Sequence, residues 1–149
     1  MAGGKEAAAD PSYVLEAKQA ITEVLHKYCE AADQADPSLA AEVWHPDAVV
    51  NYEGTFEGTA KDFMEWVGAR QRSNKAMVHY VMNAVVEVDG ERATSRSYVF
   101  GYVHTADDRH NISSGRFSDV WVRFDGAWRI VERRHRRDVF LTLPVAPSS

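Results

Sequence analysis

The sequence has very little cysteine: Cys29 is the only one among 149 residues. One cysteine can form neither an intrachain disulfide nor a cysteine-rich zinc site, and this scarcity is typical of a reducing compartment. The chain also lacks a run of about 18 apolar residues, the length that crosses a membrane, and its start has no apolar stretch of a secretory signal. We therefore expect a cytoplasmic protein that is stabilised by packing.

Positive charge is scarce as well, with 17 Lys and Arg against 22 Asp and Glu and a formal net charge of −5. Nucleic acids and anionic membranes are bound through an excess of positive charge, which this composition does not provide. The six histidines show no close metal-ligand spacing, and the glycine-rich phosphate loops of nucleotide-binding proteins are absent. The sequence thus predicts no nucleic-acid or membrane partner, no metal and no cofactor.

Apolar residues, by contrast, make up 45% of the chain and aromatic residues 11%. This is enough for one core of ordinary size, and the length suits one domain. We expect a flexible leader over residues 1–11, a single domain over residues 12–143 and a flexible tail over residues 144–149. The aromatic side chains could either line a pocket or fill the core.

Helical periodicity dominates the first half of the chain. Apolar residues recur at three- and four-residue spacing from Val14 to about Ala35, which predicts a long amphipathic helix. This helix should end near Pro37, because a residue before proline disfavours helical geometry, and Ser38 is expected to cap a short second helix that includes Trp44. A small hairpin over residues 48–58 and a third helix over residues 61–72 are predicted next.

The second half consists of long extended segments rich in Val, Tyr, Phe and Trp, separated by Asp-Gly turns and one polar loop. The predicted strands cover residues 77–88, 93–104, 114–124 and 127–141. Joined as hairpins, they form an antiparallel meander. Helices followed by strands predict an α+β fold, in which N-terminal helices pack on a curved antiparallel sheet and leave a pocket between the layers.

Several short motifs occur in a characteristic order between residues 14 and 141. They are Tyr28 with Asp33 five residues later, Trp44-His-Pro-Asp47, Gly54 with Gly58, His79 with Asn83, Gly115-Arg-Phe-Ser-Asp119, and Asp125-Gly-x-Trp128-Arg-Ile130-x-x-Arg133. In this order and spacing the sequence resembles the SnoaL-like branch of the NTF2-like superfamily. The resemblance implies a cone-shaped α+β barrel around a deep apolar cavity. It also implies a homo-oligomer, a trimer more than a dimer.

The branch includes scytalone dehydratase, bile acid 7α-dehydratase, hexachlorocyclohexane dehydrochlorinase and members without known chemistry. Its lyase members carry a His–Asp pair in the cavity, and the matching positions here are His79 and Asp33. A carboxylate that accepts one imidazole N–H fixes the tautomer and leaves the other nitrogen as a base. Asp36 is the alternative carboxylate, but its position before Pro37 suits a turn or a cap. A core histidine without a catalytic role is the alternative interpretation of His79.

The resemblance also suggests further site residues. Tyr28 and Tyr52 match tyrosines that contact the oxygen functions of the substrate in dehydratase members, with core packing as the alternative. Arg133 matches a cavity arginine of the dehydrochlorinase. Because Arg133 stands in a run of arginines, an ion pair across strands or between subunits is the alternative.

Three polar residues complete the predicted site. Asn83 is expected on the same strand face as His79, because side chains alternate along a strand. His104 matches the place of a second catalytic histidine in scytalone dehydratase, with a solvated histidine at the end of a strand as the alternative. Tyr102 is either a pocket wall or part of the packing on the outer face.

Taken together, the dyad and the resemblance predict a cofactor-independent lyase that acts on a small polycyclic, aromatic or steroid-like substrate. Dehydration or a related elimination is the favoured reaction, and proton transfer alone would give an isomerase. The alternative is a non-catalytic member of the superfamily that binds a small molecule or serves as a scaffold. A scaffold has no need for both Asp33 and His79, which favours the enzyme.

Overall fold

The computed structural model describes residues 10–144. Its elements in chain order are α1 (Pro11–Gln34), α2 (Pro37–Ala40), β1 (Trp44–Tyr52), β2 (Phe56–Thr59), α3 (Ala60–Gln71), β3 (Ala76–Asp89), β4 (Arg92–His104), β5 (His110–Phe124) and β6 (Ala127–Leu143). No helix in the described part of the chain is long and apolar enough to cross a bilayer.

The long helix α1 begins earlier than its apolar periodicity suggests. The Asp10 side chain accepts a hydrogen bond from the backbone N–H of Ser12 at 3.1 Å and so caps the helix, and Pro11 occupies the first turn, where its missing N–H costs nothing. Pro11, which we assigned to the leader, therefore belongs to the helix. Asp10, also assigned to the leader, caps this helix, whereas residues 1–9 of the predicted leader and residues 145–149 of the predicted tail lie outside the described residues.

The predicted second helix is shorter than expected. Its N-cap is Asp36, whose Oδ1 accepts a hydrogen bond from the backbone N–H of Ser38 at 2.8 Å, so Ser38 is not the cap. Trp44 does not belong to this helix but is the first residue of β1, where it is in register with Ile130 of β6. Pairing with a strand about 86 positions away cannot be read from local periodicity, which explains the error.

The six strands form one sheet in the order β2-β1-β6-β5-β4-β3. The four long strands make the predicted antiparallel meander, and the β1–β2 hairpin is also as predicted. The first strand of that hairpin, β1, pairs in parallel with β6, the last strand of the meander. The predicted α+β class is therefore confirmed.

The helices α1 and α3 pack against different parts of the sheet. α1 lies mainly against β3, whereas α3 lies against β1 and β2. The core between these layers contains the aromatic side chains of Trp44, Phe63 and Trp128. Because α1 crosses β3, its last turn reaches the strand that carries His79, and this contact creates the candidate site.

Candidate active site

The end of α1 and the first half of β3 bring Asp33 and His79 into direct contact. Oδ1 of Asp33 lies 2.7 Å from Nδ1 of His79. The second carboxylate oxygen, Oδ2, accepts a hydrogen bond from the backbone N–H of His79 at 3.2 Å. The carboxylate is thus fixed against both the main chain and the ring. The two side chains are 24% and 19% exposed, so the pair lies at a half-buried opening.

The contact determines which nitrogen of His79 is available for chemistry. An ionised carboxylate only accepts hydrogen bonds, so Nδ1 carries the proton and Nε2 of the neutral ring keeps its lone pair. Nε2 has no hydrogen-bond partner within residues 10–144 and is not sealed from solvent. This arrangement is that of a general base with an orienting carboxylate.

A glycine on the neighbouring strand leaves space for the His79 ring. Gly101 of β4 is in register with His79, and Ser113 of β5 is in register with Gly101. A Cβ atom at position 101 would lie 3.1 Å from Cδ2 of His79 and 3.1 Å from Oγ of Ser113. The His79 ring therefore packs directly on the backbone of Gly101, which it buries together with Ser113. Motif matching did not identify Gly101 or Ser113, although strand register could have done so.

Tyr28 and Tyr52 lie in the core and contact each other. Their hydroxyl oxygens are 2.9 Å apart, and the residues are 8% and 9% exposed. Burial raises the pKa of both phenols above the ordinary value of 10.0, although the positive charge of Arg133 opposes this. Both phenols are therefore neutral at physiological pH.

Arg133 is also buried, and a carboxylate compensates its charge. Its Nε and one terminal nitrogen donate hydrogen bonds to the two carboxylate oxygens of Asp119 at 2.7 and 2.8 Å, and both side chains are fully buried. The guanidinium lies 3.7 Å from the ring centre of Phe117 and 4.3 Å from that of Tyr28. Arg133 thus forms a cross-strand ion pair, the second interpretation given above, and it makes no hydrogen bond to Asp33 or His79.

Comparison with known proteins decides the family. The protein-family model of the SnoaL-like domain matches residues 14–134 of this chain. The chain belongs to the SnoaL-like family. Among its relatives is an uncharacterized protein of Mycobacterium tuberculosis, which is 29% identical over 117 residues, 76% of this chain and 80% of the relative.

Solved structures show the same fold for this SnoaL-like protein. A protein of Novosphingobium aromaticivorans named as a candidate scytalone dehydratase is 22% identical, with a TM-score of 0.82 over 92% of this chain and 94% of its own. A hexachlorocyclohexane dehydrochlorinase from Novosphingobium barchaimii is 17% identical, with a TM-score of 0.80 over 93% and 100%. At such identities the likeness concerns the fold alone, and it confirms the predicted NTF2-like α+β cone. The six-stranded sheet is curved but does not close, so the predicted barrel is open between β2 and β3.

Asn83 of the SnoaL-like protein does not share the strand face of His79. The β3–β4 register shifts between Met82 and Val85, and Asn83 has a φ of +56° at this bulge. An inserted residue reverses the alternation beyond it. Accordingly Val86 is buried at 7% exposure, whereas Val85 is 51% exposed. Asn83 lines a groove of about 390 Å³ that also includes the exposed Tyr98.

Tyr102 and His104 are likewise not brought to His79. Because Gly101 faces His79, alternation places both residues on the opposite face of β4. There the hydroxyl of Tyr102 lies 2.8 Å from Nδ1 of His110, and the ring of His104 stacks on that of His110 with centres 4.4 Å apart. We therefore leave Asn83, Tyr102 and His104 out of the proposed site. No cluster suited to hold a metal occurs within residues 10–144.

A histidine that the site prediction did not include lies on the inner face of β6. His135 is half-buried, with its ring centre 4.9 Å from that of Tyr52 and 5.4 Å from that of Phe117. Burial lowers the pKa of His135 from 6.5 to about 4, and the positive charges of Arg133 and Arg137 act in the same direction. In the sequence His135 is flanked by arginines on both sides. Such a charged segment is typical of a solvated surface, which is why the sequence did not indicate that His135 is half-buried.

The lowered pKa of His135 predicts that the SnoaL-like protein loses stability as pH falls from about 6.5 to about 4. In this window the unfolded chain binds a proton at His135 and the folded chain does not, so stability rises with pH. Urea unfolding between pH 7 and pH 4 measures the slope. His135→Phe should flatten it, whereas His26→Gln, on the exposed face of α1, should not. Equal slopes for wild type and His135→Phe would contradict this prediction.

Proposed function

We propose that this SnoaL-like protein is a cofactor-independent lyase in which His79 is the general base and Asp33 orients it. The observation that carries the proposal is the 2.7 Å contact between Asp33 Oδ1 and His79 Nδ1, which leaves Nε2 without a hydrogen-bond partner within residues 10–144. Structural neighbours that are named for eliminations, a dehydrochlorinase and a candidate scytalone dehydratase, support this class of reaction.

The reaction begins when Nε2 of His79 removes a proton from a carbon next to a carbonyl group. The electron pair of the broken C–H bond forms the new C=C bond, and the hydroxyl on the next carbon leaves with its bonding pair. The proton on His79 is returned to this hydroxide, so that water is released and the base is regenerated. Asp33 stabilises the imidazolium that exists between the two transfers. Returning the proton to another carbon instead would give an isomerase.

A small polycyclic, aromatic or steroid-like ketone is the substrate class that suits this site. On the strand face of His79, the half-buried Met77 and Val81 present apolar surface on either side of the ring. A flat apolar ring gains from contact with such surfaces.

The second candidate function is a scaffold or a non-catalytic binding protein. It is favoured by the outer face of the sheet, where Tyr80, Tyr98 and Leu141 are 54%, 47% and 52% exposed. Exposed apolar faces of this kind are often covered by a partner. A second copy of the chain would also fit the predicted homo-oligomer, which is compatible with either function.

The test uses 1-tetralone, a fused-ring ketone without a leaving group. In D₂O the protein should accelerate exchange of the C2 protons next to the carbonyl, followed by NMR, because removal of such a proton is the step assigned to His79. Exchange therefore tests the base alone, and the expected result is the same for a lyase and for an isomerase. A wild-type protein that gives no exchange above the buffer rate would contradict the proposed enzyme and favour the binding protein.

Replacing Asp33 by Asn should lower the exchange rate by about 10- to 100-fold, because an amide oxygen can still accept from Nδ1 but carries no negative charge to stabilise the imidazolium. Asp36→Asn is the matched control. Asp36 lies three residues away and caps α2, and an asparagine can cap equally well. An Asp33→Asn variant as fast as Asp36→Asn would show that the carboxylate does not assist His79.

A further inference from the structure

A cavity of about 700 Å³ lies between α2, the start of β1, α3 and the turn between β5 and β6. We call it the α2–α3 cavity. Neither Asp33 nor His79 belongs to its walls. Its volume is within the range of about 300–1,000 Å³ that is typical of sites for small molecules. The proposed reaction therefore leaves unused a cavity that is large enough for a separate ligand.

The walls of the α2–α3 cavity are mostly apolar. The apolar side chains come from each of the surrounding elements and are Pro37, Ala40, Trp44, Pro46, Met64 and Phe124. The ring of His45, which also lines the cavity, packs edge-on against Phe124 with centres 4.6 Å apart. Aromatic walls bind an aromatic ligand through contact area and ring packing. The body of a ligand for this cavity is thus expected to be apolar and aromatic.

Two polar groups of the wall residues are hydrogen-bond donors without an acceptor. The indole N–H of Trp44 is buried and has no partner within residues 10–144, although buried N–H groups nearly always have one. Nδ1 of His45 accepts a hydrogen bond from the backbone N–H of Asp47 at 3.1 Å, so the proton of the neutral ring is on Nε2. No group in the same part of the chain accepts that proton. A ligand for the cavity should therefore bring an acceptor.

The charged side chains on the walls have a positive excess. Lys61, Arg72 and Arg129 are set against Glu65 and Asp125, in a chain whose formal net charge is −5. None of these five side chains takes part in an ion pair within the described residues. The cations are thus not neutralised by a carboxylate of the chain at contact distance, and they attract an anion.

We infer that the α2–α3 cavity is a binding site for an aromatic carboxylate. The aromatic body lies against Trp44, Met64 and Phe124, and the carboxylate accepts a hydrogen bond from Nε2 of His45 near the unpaired cations. A carboxylate suits these walls because it only accepts hydrogen bonds and carries the complementary charge. The inference does not depend on the proposed lyase, since no residue of the His79 site takes part.

The test compares 2-naphthoate with 2-naphthamide, which has the same ring system and a neutral head group. Dissociation constants are measured by ligand-observed NMR with the full chain. Wild type should bind 2-naphthoate about 5- to 20-fold more tightly than 2-naphthamide, because hydrogen bonds to a charged head group are stronger than those to an amide.

Two pairs of variants locate the ligand, with circular dichroism to confirm folding. Ala41→Trp fills the cavity from an exposed position on its wall and should weaken 2-naphthoate binding by about 10-fold or more. Ala69→Trp, at an exposed position of α3 outside the walls, should not. His45→Phe keeps a ring against Phe124 but removes the donor, so it should weaken 2-naphthoate binding by about 3- to 10-fold. His26→Phe, on the exposed face of α1, should have no effect.

Equal affinities of wild type for the two ligands would overturn the inference, as would equal 2-naphthoate affinities for Ala41→Trp and Ala69→Trp or an unchanged affinity in a folded His45→Phe variant. His79→Gln should bind 2-naphthoate as tightly as wild type. Loss of binding in that variant would place the ligand at the proposed active site and overturn the inference as well. Binding of 2-naphthoate with this pattern by a protein that does not exchange the C2 protons of 1-tetralone would support the inference and contradict the proposed lyase. Exchange without binding would contradict the inference alone.

Discussion

Replacing His79 by Gln is expected to slow the exchange of the C2 protons of 1-tetralone by about 10²- to 10⁴-fold, the usual contribution of a general base. Glutamine keeps a hydrogen-bonding group near Asp33 but cannot take up a proton from carbon. Because the side chain is half-buried at the opening of the site, the replacement should leave the fold intact. The measurement is the exchange rate by NMR, with circular dichroism to confirm folding.

His26→Gln is the matched control, since it makes the same change on the exposed face of α1. It should exchange as fast as wild type. A folded His79→Gln variant with the wild-type rate would contradict the assignment of the base, and His79 would then be a core histidine that Asp33 satisfies.

Removing the carboxylate of Asp119 is expected to destabilise the protein by about 3–5 kcal/mol, because it leaves the buried guanidinium of Arg133 without a counter-charge. Both side chains are fully buried, and the two hydrogen bonds between them are 2.7 and 2.8 Å long. Asp119→Ala should therefore unfold at a clearly lower urea concentration than wild type.

The same two strands provide the control for this prediction. Arg116 of β5 and Asp138 of β6 also form a two-bond ion pair, with both distances 2.8 Å, but on the exposed face. Solvent screens an exposed pair, so Asp138→Ala should have little effect on the urea midpoint. Equal midpoints for Asp119→Ala and Asp138→Ala would show that burial of the Arg133 pair does not contribute to stability. Asp119→Leu combined with Arg133→Met should recover part of the loss, because no unpaired charge remains.

The consequence for the site is a division of its polar residues into two layers. Asp33 and His79 lie at the opening, whereas Tyr28, Tyr52, Arg133 and Asp119 are sealed in the core. His135 lies between these layers, half-buried and in contact with Tyr52. The tyrosines to which the resemblance assigns substrate contacts therefore lie deeper in the protein than His79.

Local sequence determined most of the elements of this protein. Helical spacing from Val14 to Ala35 and the β-rich segments after residue 76 define α1 and the long meander, because periodicities of 3.6 and 2 reflect which side of an element is buried. The Asp-Gly turns at Asp89 and Asp125 fix where the strands reverse, and Gly90 and Gly126 have the positive φ that such turns require. The pairing of Asp33 with His79 came from the resemblance to the SnoaL-like family, whose lyase members carry a His–Asp pair at these positions.

Tertiary structure decided what local patterns cannot express. The parallel pairing of β1 with β6 depends on residues far apart in the chain. The bulge after Met82 removed Asn83 from the predicted face, and a shift of one residue reverses every side chain beyond it. Burial distinguished Arg133 from the exposed arginines beside it in the sequence. The place of His135 over Gly115 depended on the same packing, because only the assembled sheet sets which residues of neighbouring strands meet.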